Sequence, residues 1–215
     1  KGGRMFESVS HQDAQTALAV LGKSSIVQDG YLAGGTALAL QMGHRQSVDF
    51  DFFSEKAFDA LEMSRSLQAL GSFKEDTVEK NTLLGTFNSV KYSYFYYPYP
   101  MIQAATKYTG VSIAHIHDIA AMKLVAITDR NTKKDFIDLY TLVNHGVSID
   151  QMFSLYDEKY HVFEANTFTL IKSMTFFIDA DTDDMPQMLV PISWEKIKQF
   201  FSAEAIRLGK KYLEG

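Results

Sequence analysis

Cysteine is absent from the 215-residue chain. Its absence excludes disulfides, thiolate zinc sites and a cysteine nucleophile, and it suits a reducing compartment. Long apolar runs are also missing. No stretch approaches the roughly 18 residues that a membrane-spanning helix needs, and the opening Lys1-Gly2-Gly3-Arg4-Met5 lacks the apolar core of a secretory signal. The expectation is a cytoplasmic protein with no membrane partner. A basic excess is lacking too: 21 Lys and Arg stand against 26 Asp and Glu, for a formal net charge of −5. That balance argues against a surface that coats nucleic acid broadly. Local basic groups remain at Arg130, Lys133 and Lys134, and again at Arg207, Lys210 and Lys211. Either group could meet an RNA backbone, although the terminal trio reads first as an ordinary basic helix end. No internal repeat or low-complexity stretch stands out.

What is present changes character near Gly110. Before it, periodicity and turn residues predict a helix over 12–21, a strand over 31–33, a helix over 36–42, a strand over 48–53 and a helix over 58–70 closed by Gly71. Three successive strands follow over 73–79, 83–88 and 90–97, the last ended by Pro98 and Pro100. Beyond Gly110 the pattern predicts helices over 119–129, 134–144, 149–159, 165–177 and 194–212. The fold class is therefore α+β: a mixed β-sheet with flanking helices in residues 1–110, then a mostly helical part in residues 111–215. The run Asp179-Ala180-Asp181-Thr182-Asp183-Asp184 has the acid content of a calcium loop but not the glycine or the distal glutamate of an EF-hand. A solvated loop before Pro186 is expected instead.

The segment with most chemical content is 34–53, Gly-Gly-Thr-Ala-Leu-Ala-Leu-Gln-Met-Gly-His-Arg-Gln-Ser-Val-Asp-Phe-Asp-Phe-Phe. Gly34 and Gly35 let the backbone turn sharply after the apolar Tyr31-Leu32-Ala33 and approach a ligand without Cβ obstruction. A helix opening at that turn points unpaired N–H groups and its positive dipole end at the turn, which suits phosphate. Thr36 can add a hydroxyl donor. Strand alternation over 48–53 puts Asp49, Asp51 and Phe53 on one face, with the two carboxylates about 7 Å apart at their Cα atoms. Such a pair repels itself unless a cation lies between, and Mg²⁺ bridging carboxylates to nucleotide phosphates is the natural occupant. Arg45 is suited to phosphate or to an aspartate, His44 reads as a structural donor, and Ser47 shapes the loop. Each part alone is weak, since Gly-Gly is usually a loop and Asp-x-Asp arises by chance in many strands. Their union in one short unit is the signal.

A second stretch runs from Asp118, a plausible N-cap, through Met122-Lys123-Leu124-Val125-Ala126-Ile127 to Arg130 and Lys134-Asp135-Phe136-Ile137-Asp138-Leu139-Tyr140. Lys123 borders an apolar stripe, and its residue-level reading is a lysine that snorkels into water. Asp135 and Asp138 share one helical face, where they can point at a common cation or hold a basic side chain.

Residues 34–53, together with this second stretch, resemble the nucleotidyl transferase AbiEii/AbiGii toxin family, minimal nucleotidyltransferases of the polymerase-beta superfamily. The hallmark run of that family, Gly-Gly-Thr-Ala-Leu followed by Gly-His-Arg-x-Ser-x-Asp-Phe-Asp-Phe-Phe, is matched here almost continuously, and the resemblance extends over roughly residues 31–142. It implies a nucleotidyltransferase-like sheet whose active site the helical part completes through Lys123 and Asp135. It further implies a Mg²⁺-dependent transfer from a nucleoside triphosphate to an acceptor hydroxyl of the RNA or tRNA class, and a toxin in phage defence with a cognate antitoxin. In those terms Asp49, Asp51, Lys123 and Asp135 are catalytic. Gly34, Gly35, Thr36, Arg45, Ser47 and Asp138 contact the nucleotide, and Asp49 and Asp51 hold the metal.

One expected piece is missing. The polymerase-beta pattern takes a third carboxylate from a later strand, but Val90-Lys91-Tyr92-Ser93-Tyr94-Phe95-Tyr96-Tyr97 has none. Ser93 or Lys91 would stand there, with Glu75, Asp76, Glu79 or Asp135 as substitutes. This motivates an alternative, a nucleotide-binding or protein-interaction module that has lost catalysis. An aspartyl-phosphate hydrolase also uses Asp-x-Asp on a strand, but it needs no upstream Gly-Gly-Thr helix and is set aside. The tyrosines and phenylalanines of 92–99 could stack on a base, yet strand packing is the simpler account.

Overall fold

A computed structural model describes residues 5–213, and the chain divides into two compact units after His115. The first contains a 3-10 turn (Glu7–Val9), α1 (Gln12–Lys23), β1 (Tyr31–Leu32), α2 (Gly34–Met42), β2 (Phe50–Ser54), α3 (Ala60–Leu70), β3 (Phe73–Glu79), β4 (Thr82–Phe87), β5 (Val90–Tyr96), β6 (Thr106–Tyr108) and β7 (Val111–Ile113). The strands form one mixed sheet in the order β3-β4-β5-β2-β1-β7-β6. β2 lies parallel to β5 and antiparallel to β1, while β3, β4 and β5 form an antiparallel meander.

Alternation explains how this sheet acquires two different faces. Phe50 and Phe52 of β2 are fully buried, as are Tyr92 and Tyr94 of β5, which the parallel register sets beside them. α3 covers this face: Tyr92 donates its hydroxyl to Met63 Sδ at 3.7 Å, and the ring of Phe58, just ahead of α3, meets Tyr94 at 4.7 Å. Burial of each such side chain contributes roughly 1.5–3 kcal/mol. Asp59 starts α3 by accepting from the amides of Leu61 and Glu62 at 2.9 and 3.0 Å. The opposite face carries Asp51, Phe53, Ser93 and Phe95, all only half-buried.

Two expectations shift. The strand expected over 48–53 begins at Phe50, so Asp49 precedes it. The change of character near Gly110 falls inside the β6–β7 hairpin, whose turn residues Thr109 and Gly110 have φ of 48° and 90°. Three-residue strands are too short to show alternation, and the hairpin went unread for that reason.

The second unit is helical: α4 (Ile116–Asp129), α5 (Lys133–Asn144), α6 (Ile149–Tyr160), α7 (Phe163–Ser173), α8 (Ile178–Thr182) and α9 (Trp194–Tyr212). α4 packs on α5, α6 and α7, and α9 packs on α5 and α7. Phe136 of α5 centres one end of the core, with ring contacts to Phe177, Trp194 and Phe201 at 5.1, 5.8 and 5.3 Å. Asp118 is not an N-cap. It lies within the first turn of α4, where its buried carboxylate meets Lys159 Nζ of α6 at 2.7 Å. The Asp-rich run is likewise more than a solvated loop. Asp183 accepts from the Lys133 amide at 2.9 Å and its carbonyl from Lys133 Nζ, while Asp181 accepts from Trp194 Nε1 at 2.7 Å. Among the described residues no helix is long and apolar enough to cross a membrane.

Candidate active site

The turn between β1 and α2 is built against β2. Ala33 N donates to Asp51 O at 2.9 Å, continuing the β1–β2 pairing to the helix start. Gly34 has φ +66°, and a Cβ there would lie 3.0 Å from Asp51 Oδ2. A Cβ on Gly35 would run into the guanidinium of Arg45. The positive φ of Gly34 disfavours a larger residue there, a side chain at Gly35 would displace the Arg45 guanidinium, and one carboxylate oxygen of Asp51 lies beside the start of α2. Ala33, the N-cap, has no side-chain acceptor for those amides, so they suit an anion.

The loop from Gly43 to Asp49 is fixed by its neighbours. Ser47 N donates to Val9 O at 3.0 Å, and Ser10 Oγ donates to Ser47 O at 3.1 Å. Arg45 is buried and gives Nη1 to Gln46 O at 3.1 Å. Thr36 Oγ1 lies 2.6 Å from Asp49 O and 2.9 Å from Ser47 Oγ. A carbonyl only accepts, so the Thr36 proton goes to Asp49 and Ser47 donates to Thr36. Asp49 itself is exposed and Asp51 half-buried. Gly34, Gly35, Thr36, Arg45, Ser47, Asp49 and Asp51 thus gather at one corner of the sheet unit.

Ser93 is the register partner of Asp51 on the parallel neighbour β5, so the position where a third strand carboxylate was sought holds a hydroxyl. Lys91 stands two residues earlier and is exposed. Glu75, Asp76 and Glu79 cannot substitute: β3 is separated from β2 by both β4 and β5, about 14 Å at the usual strand spacing. Glu75 also accepts a bond from Ser64 Oγ at 2.7 Å. Among the described residues no group of three or more His, Cys, Asp or Glu side chains is arranged to hold a metal. Two carboxylates beside an anion-binding turn still fit Mg²⁺, which takes one or two carboxylates and completes its shell with water and substrate phosphates.

The helical unit brings together the other expected residues. Lys123 of α4 does not snorkel; its side chain is 4% exposed, with Nζ 2.7 Å from Asp135 Oδ1 and 2.6 Å from Asp138 Oδ2 on α5. Arg130 adds a two-pronged contact to Asp135, Nε to Oδ2 at 2.8 Å and Nη2 to Oδ1 at 2.9 Å, and Thr132 Oγ1 donates to Oδ2 at 2.7 Å. Burial alone would raise the Asp135 carboxyl. The charge of Lys123 and the bonds from Arg130 outweigh it and hold that carboxyl well below the usual carboxylate range.

The basic groups singled out for RNA are largely engaged within the unit. Arg130 holds Asp135, and buried Lys133 holds Asp183 and lies over the Trp194 ring at 5.5 Å. Arg207 meets Asp150 and Glu204, and Lys211 meets Asp150. The Asp118–Lys159 pair escaped sequence reading because its members are 41 residues apart and nothing local joins them.

Residues 17–103 and 96–205 match the profile of a family described as nucleotidyl transferase AbiEii toxin of a type IV toxin–antitoxin system. The chain is 36% identical over 208 residues to an uncharacterised protein of Aquifex aeolicus, a match that spans 94% of this chain and 97% of that one. Solved structures share the fold. JHP933 from Helicobacter pylori superposes with a TM-score of 0.55 at 18% identity over 95% of each chain. MenT4, a nucleotidyltransferase toxin from Mycobacterium tuberculosis, does so with a TM-score of 0.54 at 15% identity, over 92% of this chain and 89% of that one.

Proposed function

The chain belongs to the AbiEii nucleotidyl transferase toxin family, and on that premise we propose that it moves a nucleotidyl group from a nucleoside triphosphate to an acceptor hydroxyl, with Mg²⁺ held by Asp49 and Asp51. The observation that carries this reading is the contact of Asp51 Oδ2 with the space over Gly34, which brings a carboxylate and an anion-binding helix start to one point. In the reaction the acceptor oxygen attacks the α-phosphorus and pyrophosphate leaves. A bound Mg²⁺ supplies charge neutralisation to the phosphate oxygens and lowers the pKa of the attacking hydroxyl.

The residues of the chain do the rest. The Gly34 and Gly35 main chain and Arg45 receive the phosphates, while Thr36 and Ser47 shape the same turn and loop. Within the helical unit, Asp135 and Asp138 fix the ammonium of Lys123, and a catalytic part for Lys123 and Asp135 is what the family resemblance implies. The acceptor is of the RNA or tRNA class, the setting is the cytoplasm, and the biological role is that of a toxin in phage defence, neutralised by a cognate antitoxin. Family membership supports the toxin role; the acceptor class is our extension of it.

The test is to incubate purified protein with each labelled nucleoside triphosphate, Mg²⁺ and total cellular RNA beside Asp49→Asn and Asp51→Asn. Label in RNA with the wild type alone is expected, whereas equal label with folded variants would refute the assignment. Ser93 opposite Asp51 keeps a second reading in play, a nucleotide-binding module without turnover. It predicts saturable nucleotide binding and no label in any acceptor.

A further inference from the structure

We infer that Thr36 is a positioning residue for the carboxylate pair and not a donor to phosphate; the inference rests on the metal and nucleotide reading of the site given above. Asp51 belongs to β2, and its main chain is held by Ala33 N on one side and paired with β5 on the other. Asp49 precedes the strand and does not share that ladder. Its carbonyl is held instead by the Thr36 hydroxyl at 2.6 Å, from a side chain that is 1% exposed on the first turn of α2. Ser47 Oγ, 2.9 Å from Thr36 Oγ1, donates to it and sets the direction in which the Thr36 proton points. The single proton of Thr36 is thereby engaged with main chain.

The geometry has a specific chemical effect. α2 presents the amides suited to phosphate, and the Thr36 hydroxyl ties that same helix to the residue that bears the first carboxylate. Phosphate-binding amides and Asp49 are held in one register by a bond that no strand pairing provides. Loss of the hydroxyl should loosen Asp49 relative to Asp51 and weaken their shared cation, while the amides that meet phosphate keep their place.

The experiment measures Mn²⁺ binding by electron paramagnetic resonance and metal-free nucleotide binding by calorimetry, in wild type, Thr36→Val, Thr36→Ser and Ser47→Ala. Thr36→Val keeps the volume and removes the hydroxyl. It is expected to weaken Mn²⁺ binding by about tenfold or more, the size of effect seen when a group that orients a metal ligand is lost. Its metal-free nucleotide affinity should stay within about twofold, and Thr36→Ser should restore Mn²⁺ binding. Weakened nucleotide binding with Mn²⁺ binding intact would make Thr36 a phosphate donor and overturn the inference, as would equal loss, or no loss, in both. If Thr36→Val does not fold, Ser47→Ala decides. A selective loss of Mn²⁺ affinity supports the relay, and any other pattern overturns it. A wild-type protein that binds neither Mn²⁺ nor nucleotide would overturn the functional reading as well, which separates that failure from one confined to Thr36.

Discussion

Replacing Lys123 by methionine should unfold the helical unit at markedly milder conditions. The ammonium lies 2.7 Å from Asp135 and 2.6 Å from Asp138, and both carboxylates are 0% exposed at their side chains. Methionine roughly fills the volume and removes the charge. Asp135 retains Arg130 and Thr132, but Asp138 loses the cation 2.6 Å away from it. Breaking a buried pair by deleting one partner costs about 3–5 kcal/mol, most of it from the buried charge left behind. At about 4–8 °C per kcal/mol for a unit of roughly 100 residues, the melting point should fall by about 12 °C or more. Lys123→Arg should not rescue it, because the planar guanidinium is larger and forked where the site is shaped around a compact ammonium. Urea unfolding followed by circular dichroism, with Lys123→Met/Asp138→Leu as the double variant, is the assay. The double variant should recover part of the loss, because it removes a buried carboxylate whose cation 2.6 Å away is gone. A Lys123→Met midpoint within experimental error of wild type would refute the reasoning, and would show that the two carboxylates do not depend on this cation.

Three further outcomes are expected. The Asp135 carboxyl is held below its ordinary value, so its contribution is present in full above the unfolded pKa near 3.9 and is lost as the pH falls through the lower folded value. The stability gap between wild type and Asp135→Asn should therefore be constant from pH 7 to about 5 and shrink below that; urea midpoints across the range check it, and a gap that widens in acid would contradict it. Gly34→Ala forces a Cβ into φ +66° and to within 3.0 Å of Asp51 Oδ2. It should cost about 1–2 kcal/mol in denaturant titration and reduce transfer, and an unchanged midpoint would count against the turn geometry. The triple change Glu75→Gln/Asp76→Asn/Glu79→Gln should leave transfer within about twofold, since β3 is about 14 Å from β2; abolished label would reinstate an acid from that strand.

Much of the arrangement of the candidate site in the sheet unit was legible because its residues are local in sequence. Gly34-Gly35, the short helix and Asp-x-Asp follow one another within a single stretch, and short-range periodicity suffices to order them. The same logic narrowed the position on the neighbouring strand to Ser93 or Lys91, and the parallel register sets Ser93 opposite Asp51. What sequence did not show is what long-range geometry decides. Thr36 looked like a phosphate donor because hydroxyls at helix starts often are, yet its partner is a main-chain carbonyl that no residue type announces. Asp118 had the position of an N-cap, and only the return of α6 with Lys159 makes it a buried ion-pair member. The acids of 179–184 read as solvated until Lys133 and Trp194 were brought to them by folding. Lys123 was ambiguous for the same reason, since the side chains that bury it lie on the next helix.

The central place of β2 governs how heat would disable the molecule. With paired strands on both flanks, the β2 amides can exchange with solvent only when the sheet opens cooperatively, whereas the edge strands β3 and β6 fray at small free-energy cost. Deuterium should therefore enter the edges long before it reaches Asp51 and Phe52. The carboxylate platform outlasts its own borders, and inactivation on warming should coincide with collapse of the whole sheet.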